Sequence, residues 1–225
     1  MREINLGQSE AKLRLLGAAE QLLAEHGFET VSVRDITQVA KANVAAINYH
    51  FGTRDGLLAL VVTRYLGPLN DERLVRLDAL ERKWSGKAVP LEEIVDALVR
   101  PLVGIVRKTE LAEPWGCRLL GHILALPGAS LPAVLERQAQ AVAERFLRAL
   151  GKSLSMVTAD ELVWRLHLVV GALLHLLRQQ PAGVVAVPSL EASLGRLIRF
   201  AVAGLRDGVV ADAPAKKGPQ ATFDF

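Results

Sequence analysis

Three consecutive side chains, Asn48, Tyr49 and His50, can hydrogen-bond or stack, and they lie in the middle of a short predicted helix. The stretch 31–58 predicts two short helices joined by a tight turn, then a sharp break into a third helix. The second of these helices has too few apolar residues to serve mainly as core. A helix of this kind can rest one face on its own domain and place the other in a DNA groove. The pattern therefore favours a nucleic-acid contact.

Other candidate chemistry is weak. His122, His167 and His175 fall on different turns or helices, and no acid or cysteine completes a metal-binding set at a recognisable spacing. The single cysteine, Cys117, excludes an intramolecular disulfide, and paired with a distant histidine it is too common a combination to predict a nucleophile. We therefore predict no enzyme, no metal and no cofactor. A helical enzyme with a histidine site stays open as an alternative.

Composition agrees with a helical DNA-binding protein without requiring one. The 225 residues are 51% apolar and only 5% aromatic, which favours helices packed on helices. The formal net charge is +3, but residues 1–60 carry six basic and seven acidic side chains. DNA binding by this part must therefore depend on the placement of charge.

No signal peptide precedes Ser9, and the most apolar window, 162–177, is too short and too polar to span a bilayer. We predict a cytoplasmic protein with no membrane partner.

The elements that must position Asn48, Tyr49 and His50 are all helical. We predict an all-α fold with about nine helices. A helix-turn-helix domain is predicted over 1–53, a ligand-binding and dimerisation domain over 54–207, and a disordered tail over 208–225. Ser9, Ser32, Asn43 and Thr53 are placed to cap the first four helices, the last of which runs to about Arg82. In the second helix, Ile36 and Val39 are expected to face inward. Later helices begin at Leu91, at 115 and 130, and after the predicted caps Thr158 and Ser189, and the last ends near 206. Pro101 lies inside the helix that begins at Leu91 and must kink or split it.

Residues 9–60 resemble the DNA-binding domain of TetR-type transcriptional regulators. The resemblance rests on Ala18-Ala19, Leu22-Leu23, Gly27-Phe28, Ser32 to Ile36, Ala40, Ile47, Tyr49 to Gly52, Arg54 and Leu57-Leu58. It implies a helix-turn-helix domain followed by a helical ligand domain of variable sequence. Arg73-Leu74, 118–121 and 161–167 resemble the subset of this family that responds to long-chain fatty acids or their CoA esters.

The resemblance and the side-chain chemistry together name the DNA-contacting residues. Arg34 and Asn48 can reach base edges, small side chains allow close approach to thymine methyls, and polar side chains can hold phosphates. The predicted set is Ser32, Arg34, Val44, Ala45, Ala46, Asn48, Tyr49, His50 and Arg54.

Two positions depart from the family pattern. Lys41 stands at the turn where the family usually has glycine, so either the turn is built differently or Lys41 adopts a positive φ at a cost of about 1 kcal/mol. Asn48 stands where the family usually has tyrosine. Lys41 and Asn48 are therefore where DNA docking is expected to differ from the family's.

One such domain reads only a few base pairs, so specificity requires a homodimer on a palindromic operator of double-stranded DNA. We predict that the dimer is formed by the last two long helices, through Ala172, Leu173, Leu176, Leu194, Ile198 and Ala201. The alternative is that these residues only close the core.

The C-terminal half is predicted to bind a small apolar or acyl-type effector between helices. Its candidate lining is Trp115, Cys117, Arg118, Leu120, Phe146, Trp164, His167, Val170, Gly171 and Leu174, with Arg118 or His167 meeting an acidic head group. The sequence therefore predicts a repressor whose two recognition helices, about 34 Å apart on DNA, are moved out of register by ligand. An all-helical small-molecule-binding or interaction module without specific DNA recognition remains the alternative.

Overall fold

The computed structural model describes residues 2–179 and 188–206, with side chains from residue 10 onward. These residues form ten α-helices, one short 3-10 helix at Gly128–Ser130 and no strand, which confirms the all-α prediction. The helices are α1 (Arg2–His26), α2 (Val33–Ala40), α3 (Val44–Phe51), α4 (Arg54–Trp84), α5 (Leu91–Val99), α6 (Pro101–Arg107), α7 (Glu113–Leu124), α8 (Ala133–Ser153), α9 (Ala159–Arg178) and α10 (Leu190–Arg206).

The described residues divide into two compact units. The first takes in 2–68, 104–126 and 177–179, and the second takes in 69–103, 127–176 and 188–206. The division falls inside α4, at Pro68, a proline that the sequence analysis did not single out. Proline has no N–H for the helix ladder, so it weakens a long helix at that turn. The predicted domain boundary at residue 53 stays a prediction, and the predicted tail lies outside the described residues.

In the first unit, α1 supplies a buried apolar stripe that includes Leu15, Ala19 and Leu23. The helix begins at Arg2, so Ser9 lies inside it and is not the predicted cap. Gly27 follows the helix with φ +77°, a conformation that favours glycine, and its N–H donates to the Leu23 carbonyl at 2.9 Å.

Helix α7 packs against α1 in the same unit. Arg118 donates from Nη2 to the Glu25 carbonyl at 2.8 Å, near the C-terminus of α1. A Cβ on Gly27 would lie 3.2 Å from the imidazole of His122. The short approach between α1 and α7 therefore depends on glycine at position 27.

The second unit contains the break that Pro101 imposes between α5 and α6. Pro101 was predicted to kink or split one helix, and the split explains the tenth helix. Arg73 of α4 donates from Nε to the Leu98 carbonyl at 2.9 Å, at the end of α5, and from Nη1 to the Asn70 Oδ1 at 3.1 Å. Burial lowers the pKa of Arg73 to about 10. The guanidinium thus serves as a buried cap on the carbonyl end of α5.

Helices α9 and α10 are capped as predicted. The Thr158 hydroxyl accepts from the Glu161 N–H at 3.4 Å, and the Ser189 hydroxyl accepts from the Ala192 N–H at 3.3 Å. Arg165 of α9 also donates from Nη1 to the Leu205 carbonyl of α10 at 2.9 Å. This bond ties the two helices within the second unit.

Candidate nucleic-acid interface

The turn between α2 and α3 is set by two caps and one strained residue. Ser32 and Asp35 form a complete capping box at the start of α2, and the Asn43 Oδ1 accepts from the Ala46 N–H at 2.9 Å at the start of α3. Between the helices Lys41 has φ 48° and ψ 49°, in the left-handed region. Of the two possibilities that the sequence left open, the positive φ is the one observed. Its exposed side chain is free to point into solvent.

Helix α3 buries one side chain fully and presents the rest. Ile47 is 1% exposed, whereas Tyr49 is 70% exposed. Val44, Ala45 and Asn48 are exposed, and Ala46 and His50 are half-buried. The rings of Tyr49 and His50 meet edge to face with their centroids 5.0 Å apart. The helix therefore rests on its unit through Ile47 and offers a continuous outward face of small, amide and aromatic side chains.

Helix α2 adds two exposed side chains, Ser32 and Arg34, at its N-terminus. The Ser32 hydroxyl and N–H both donate to the Asp35 carboxylate, at 2.6 and 2.9 Å, and these bonds lower the pKa of Asp35. Ile36 is buried as expected, but Val39 is 45% exposed, so the expectation that it faces inward was wrong. The core-facing positions of α2 are Ile36, Thr37 and Ala40.

Arg54 differs from its predicted role as a phosphate contact. Its Nε donates to the Val31 carbonyl at 2.8 Å, its Nη2 to the Phe28 carbonyl at 2.7 Å, and its Nη1 to the Asp55 carboxylate at 3.2 Å. These bonds tie the start of α4 to the chain between α1 and α2. The geometry therefore gives Arg54 a structural role, with its guanidinium committed to protein acceptors.

Two basic residues of α1 that the sequence analysis passed over lie beside this surface. The Lys12 ammonium lies 6.0 Å from the centroid of the Phe51 ring, and Arg14 Nε reaches the Ala40 carbonyl at 3.4 Å. Only the tertiary packing of α1 on α2 and α3 brings them there, and no local sequence signal marks them. With Arg34 and Lys41, they supply cations around a helix that itself has no acidic residue.

The predicted dimer residues divide into two groups. Leu173, Leu194, Ile198 and Ala201 are buried within this chain, so this part of the prediction is corrected: they are core and offer no surface to a second copy. Ala172 and Leu176 are half-buried. The large apolar side chains that α9 and α10 expose are Trp164 (55%), Leu168 (57%) and Phe200 (70%).

The predicted effector residues lie in both units. In the first, Leu120 is buried, Cys117 is half-buried, and Arg118 stacks at 4.8 Å over the partly exposed ring of Trp115. Burial raises the pKa of Cys117 to about 12, so its thiol stays protonated.

In the second unit Phe146 is buried, and Val170 and Leu174 are half-buried. Trp164, His167 and Gly171 are exposed, and the first two stack ring on ring at 6.2 Å. Those three therefore line no enclosed cavity within the described residues of one chain, and their contact with effector stays a prediction.

Capped helices, a tight turn and an outward-facing second helix define a helix-turn-helix protein. The family model for bacterial regulatory proteins of the tetR family matches residues 15–61. The family model for the tetracyclin repressor-like C-terminal domain matches residues 96–204. Together they span more than half of the chain. The chain belongs to the TetR family of bacterial regulatory proteins.

Curated relatives match over a short part of the chain. An HTH-type transcriptional repressor of Mycobacterium tuberculosis is 38% identical over 61 residues, which is 27% of this chain and 32% of that protein. An HTH-type transcriptional regulator of Mycobacterium bovis matches to the same extent. The aligned part is thus about a third of the length of these relatives.

Solved structures share the fold over most of the chain. A TetR family regulator from Marinobacter aquaeolei has a TM-score of 0.56 at 18% identity, covering 91% of this chain and 98% of that one. PfmR from Thermus thermophilus has a TM-score of 0.54 at 19% identity, covering 86% and 97%. The fatty acid degradation regulator FadR from Bacillus halodurans has a TM-score of 0.54 at 16% identity, covering 87% and 96%.

The described residues show neither a membrane-spanning helix nor a metal cluster. None of their helices is both long and apolar enough to cross a bilayer. Nowhere in that part of the chain do three or more His, Cys, Asp or Glu side chains gather as a metal site would need.

Proposed function

We propose that this protein is a dimeric transcriptional repressor that binds a palindromic operator through α3 and is released by a small apolar or acyl-type effector. The observation that carries the proposal is the face of α3, where Asn48 and Tyr49 point outward while Ile47 anchors the helix. A protein with this task acts in the cytoplasm, where the DNA lies.

The roles of the side chains follow from their chemistry. Arg34 can donate two hydrogen bonds to guanine, and Asn48 can pair with the N6 and N7 of adenine. Val44, Ala45 and Ala46 let the helix approach thymine methyls closely. Tyr49, His50 and Ser32 hold phosphates and so fix the docking without reading sequence.

Dimerisation is proposed to use the exposed apolar side chains of α9 and α10. Trp164, Leu168 and half-buried Ala172 follow one another at four-residue intervals and so lie on one face of α9. Phe200 adds an exposed ring from α10. Large apolar side chains left in water favour association with a second copy, and about 25 cal/mol per Å² is gained on burial. Half-buried Leu176 belongs at the edge of this surface.

The effector is proposed to act by shifting populations. It binds better to a state whose two recognition helices are wrongly spaced for successive major grooves. Leu120 and Phe146 are buried apolar side chains of the C-terminal half, and the proposal is that the effector contacts such side chains between helices. The hydrogen bond from Arg118 to the Glu25 carbonyl connects α7 to α1, so a movement of α7 would be transmitted to the helix-turn-helix.

The first experiment is selection of genomic DNA fragments by the purified protein, followed by fluorescence anisotropy on the enriched duplex. We expect an enriched site with two-fold symmetry and an affinity that falls steeply with salt. Asn48→Ala should weaken binding by about tenfold or more, since a good bidentate contact is worth about 1–3 kcal/mol of discrimination. Gln21→Ala is the matched control, because Gln21 is an exposed amide on α1, outside the proposed contact residues.

Failure has a defined meaning. If no fragment is enriched and retention of duplex is flat across low salt, the repressor proposal is wrong and the helical ligand-binding module takes its place. If a fragment is enriched, effector classes are tested by the release of that bound duplex, with long-chain fatty acids and their CoA esters as the acyl arm and uncharged apolar compounds as the second arm.

A further inference from the structure

A basic concavity lies in the second unit, and none of the residues assigned to DNA, dimer or effector lines it. Its volume is about 380 Å³ and its walls come from the end of α4, the loop between α4 and α5, and α8. Four basic side chains, Lys87, Arg145, Arg148 and Lys152, face one carboxylate, Glu81. A volume of this size falls within the range of small-molecule sites, about 300–1,000 Å³.

One of the four cations is already neutralised. Arg145 donates from Nη2 to Asp78 at 2.6 Å and to Glu81 at 2.7 Å, and these carboxylates raise its pKa. Arg145 thereby joins α8 to α4 and pairs with Glu81, the only carboxylate among the lining residues; with Asp78 the three charges sum to −1, which leaves the concavity a net charge of +2 once the other three cations are added. Its role is structural.

The other three cations have no such partner. Lys87, Arg148 and Lys152 are exposed, and none of them has a carboxylate within 4.0 Å in the part of the chain that the structure describes. Arg148 and Lys152 are four residues apart on α8, so they lie on one face and repel each other. Three like charges therefore converge on one concavity, an arrangement that disfavours the empty site and favours an anion.

The loop that carries Lys87 is held in a defined shape. Ser85 has φ 47° and Gly86 has φ 81°, and the Lys87 N–H donates to the Trp84 carbonyl at 3.0 Å. Val89 is buried and anchors the far side of the loop. Lys87 is therefore placed opposite α8 by backbone geometry, independently of the charges that it faces.

We propose that this concavity binds the phosphate group of a small phosphorylated molecule, at Lys87, Arg148 and Lys152. A phosphate dianion presents three acceptor oxygens, which suits one guanidinium and two ammonium groups converging from different elements. A concave site admits an isolated phosphate group, whereas duplex DNA presents its phosphates along a convex ridge. This binding goes beyond the proposed repressor function, since none of the residues predicted to hold the effector lines the concavity.

The test uses the full chain and pyrophosphate as the probe, with inorganic phosphate and ATP as further arms. Calorimetry and thermal melting are run without DNA, so their outcome is independent of whether the protein binds an operator. We expect saturable binding of pyrophosphate and a rise in melting temperature. Binding should weaken about tenfold for Arg148→Gln and further when Lys87→Gln and Lys152→Gln are added. If inorganic phosphate binds with an affinity equal to that of pyrophosphate, the natural ligand is the free ion. If ATP binds more tightly than either, the natural ligand is a phosphate ester.

Controls separate a site from general charge. Arg137→Gln removes an exposed cation from α8 outside the concavity and should leave binding within about twofold. The triple variant loses three cations that have no carboxylate within 4.0 Å among the described residues, so its melting temperature without ligand should change little. If the melting temperature falls, Arg148→Lys, which keeps the charge, should still bind pyrophosphate better than Arg148→Gln. The proposal is overturned if pyrophosphate does not saturate, if Arg137→Gln weakens binding equally, or if the triple variant loses duplex DNA and keeps pyrophosphate.

Discussion

Arg54 gives the sharpest test of how the helix-turn-helix is held together. Its guanidinium donates to the carbonyls of Phe28 and Val31 and pairs with exposed Asp55. Hydrogen bonds from a charged donor contribute about 1.5–3 kcal/mol each, and a bond to an exposed partner contributes little. The Arg54 side chain is 30% exposed, so water replaces part of what is lost. We therefore expect Arg54→Ala to lower the free energy of unfolding by about 2–4 kcal/mol.

The assay is thermal melting combined with hydrogen exchange. For a chain of this length 1 kcal/mol corresponds to about 2–4 °C, so the melting temperature should fall by about 4–16 °C. Amides at 28–32 should exchange faster, because the chain between α1 and α2 loses its tie to α4. Arg34→Ala is the matched control. Arg34 is exposed and makes no ion pair among the described residues, so its loss should change stability by less than about 0.5 kcal/mol while weakening DNA binding.

The reasoning on Arg54 would be refuted by the reverse pattern. In that pattern, Arg54→Ala has the same melting temperature as the wild type, and the slope of DNA affinity against salt concentration falls by the value of one phosphate contact. Arg54 would then contact DNA, as predicted from the sequence. Partial loss of both properties is resolved by Arg54→Lys, which keeps a charge for phosphate but cannot span both carbonyls.

Three further predictions follow from the strained turn, the exposed faces and the capping box. Lys41→Gly relieves a left-handed residue (about 1 kcal/mol) but adds unfolded-state entropy (about 0.4–1 kcal/mol), so urea unfolding should show a net gain of between zero and about 0.6 kcal/mol, and a clear loss would contradict the strain. If the proposed dimer forms through α9 and α10, Leu168→Glu should make the protein monomeric in analytical ultracentrifugation, whereas Met156→Glu, at a 90% exposed site on neither helix, should not. Because the capping bonds lower the pKa of Asp35, its contribution to stability is present above about pH 4 and is lost as pH falls through the lowered pKa. Asp35→Asn should therefore reduce the loss of stability that the wild type shows on acidification. An unchanged dependence of stability on acid pH would rule out the capping contribution.

Local signals made much of the N-terminal unit predictable. Ser32 and Asn43 cap helices because their side chains reach backbone amides three residues on, and Gly27 ends α1 because it tolerates positive φ. Pro101 interrupts the helix between α5 and α6, because proline has no N–H to donate to the helix ladder and its ring clashes with the preceding turn. Each of these effects acts within a few residues, so one sequence contains enough information to place it.

Features that depend on tertiary packing were not predictable in the same way. The apolar period of α10 marks Leu194 and Ile198 correctly as inward-facing, but period alone does not say whether they face this chain or a second copy. The bonds of Arg54 span 23 and 26 residues of sequence, and those of Arg145 span 64 and 67. No local sequence pattern encodes such pairs. This is why Arg54, which was predicted to contact phosphate, is found bonded to the backbone between α1 and α2.

The most direct test of the central claim is the stoichiometry and sequence dependence of DNA binding by the full chain. Duplex recovered by genomic selection is titrated with wild-type protein and with Tyr49→Ala, and anisotropy is followed across salt concentrations. We expect one dimer per two-fold-symmetric site, an affinity that falls with salt, and clear weakening in the variant. Equal binding of selected and scrambled duplex, or a variant that binds as the wild type does, would contradict the account of α3 as the reading helix.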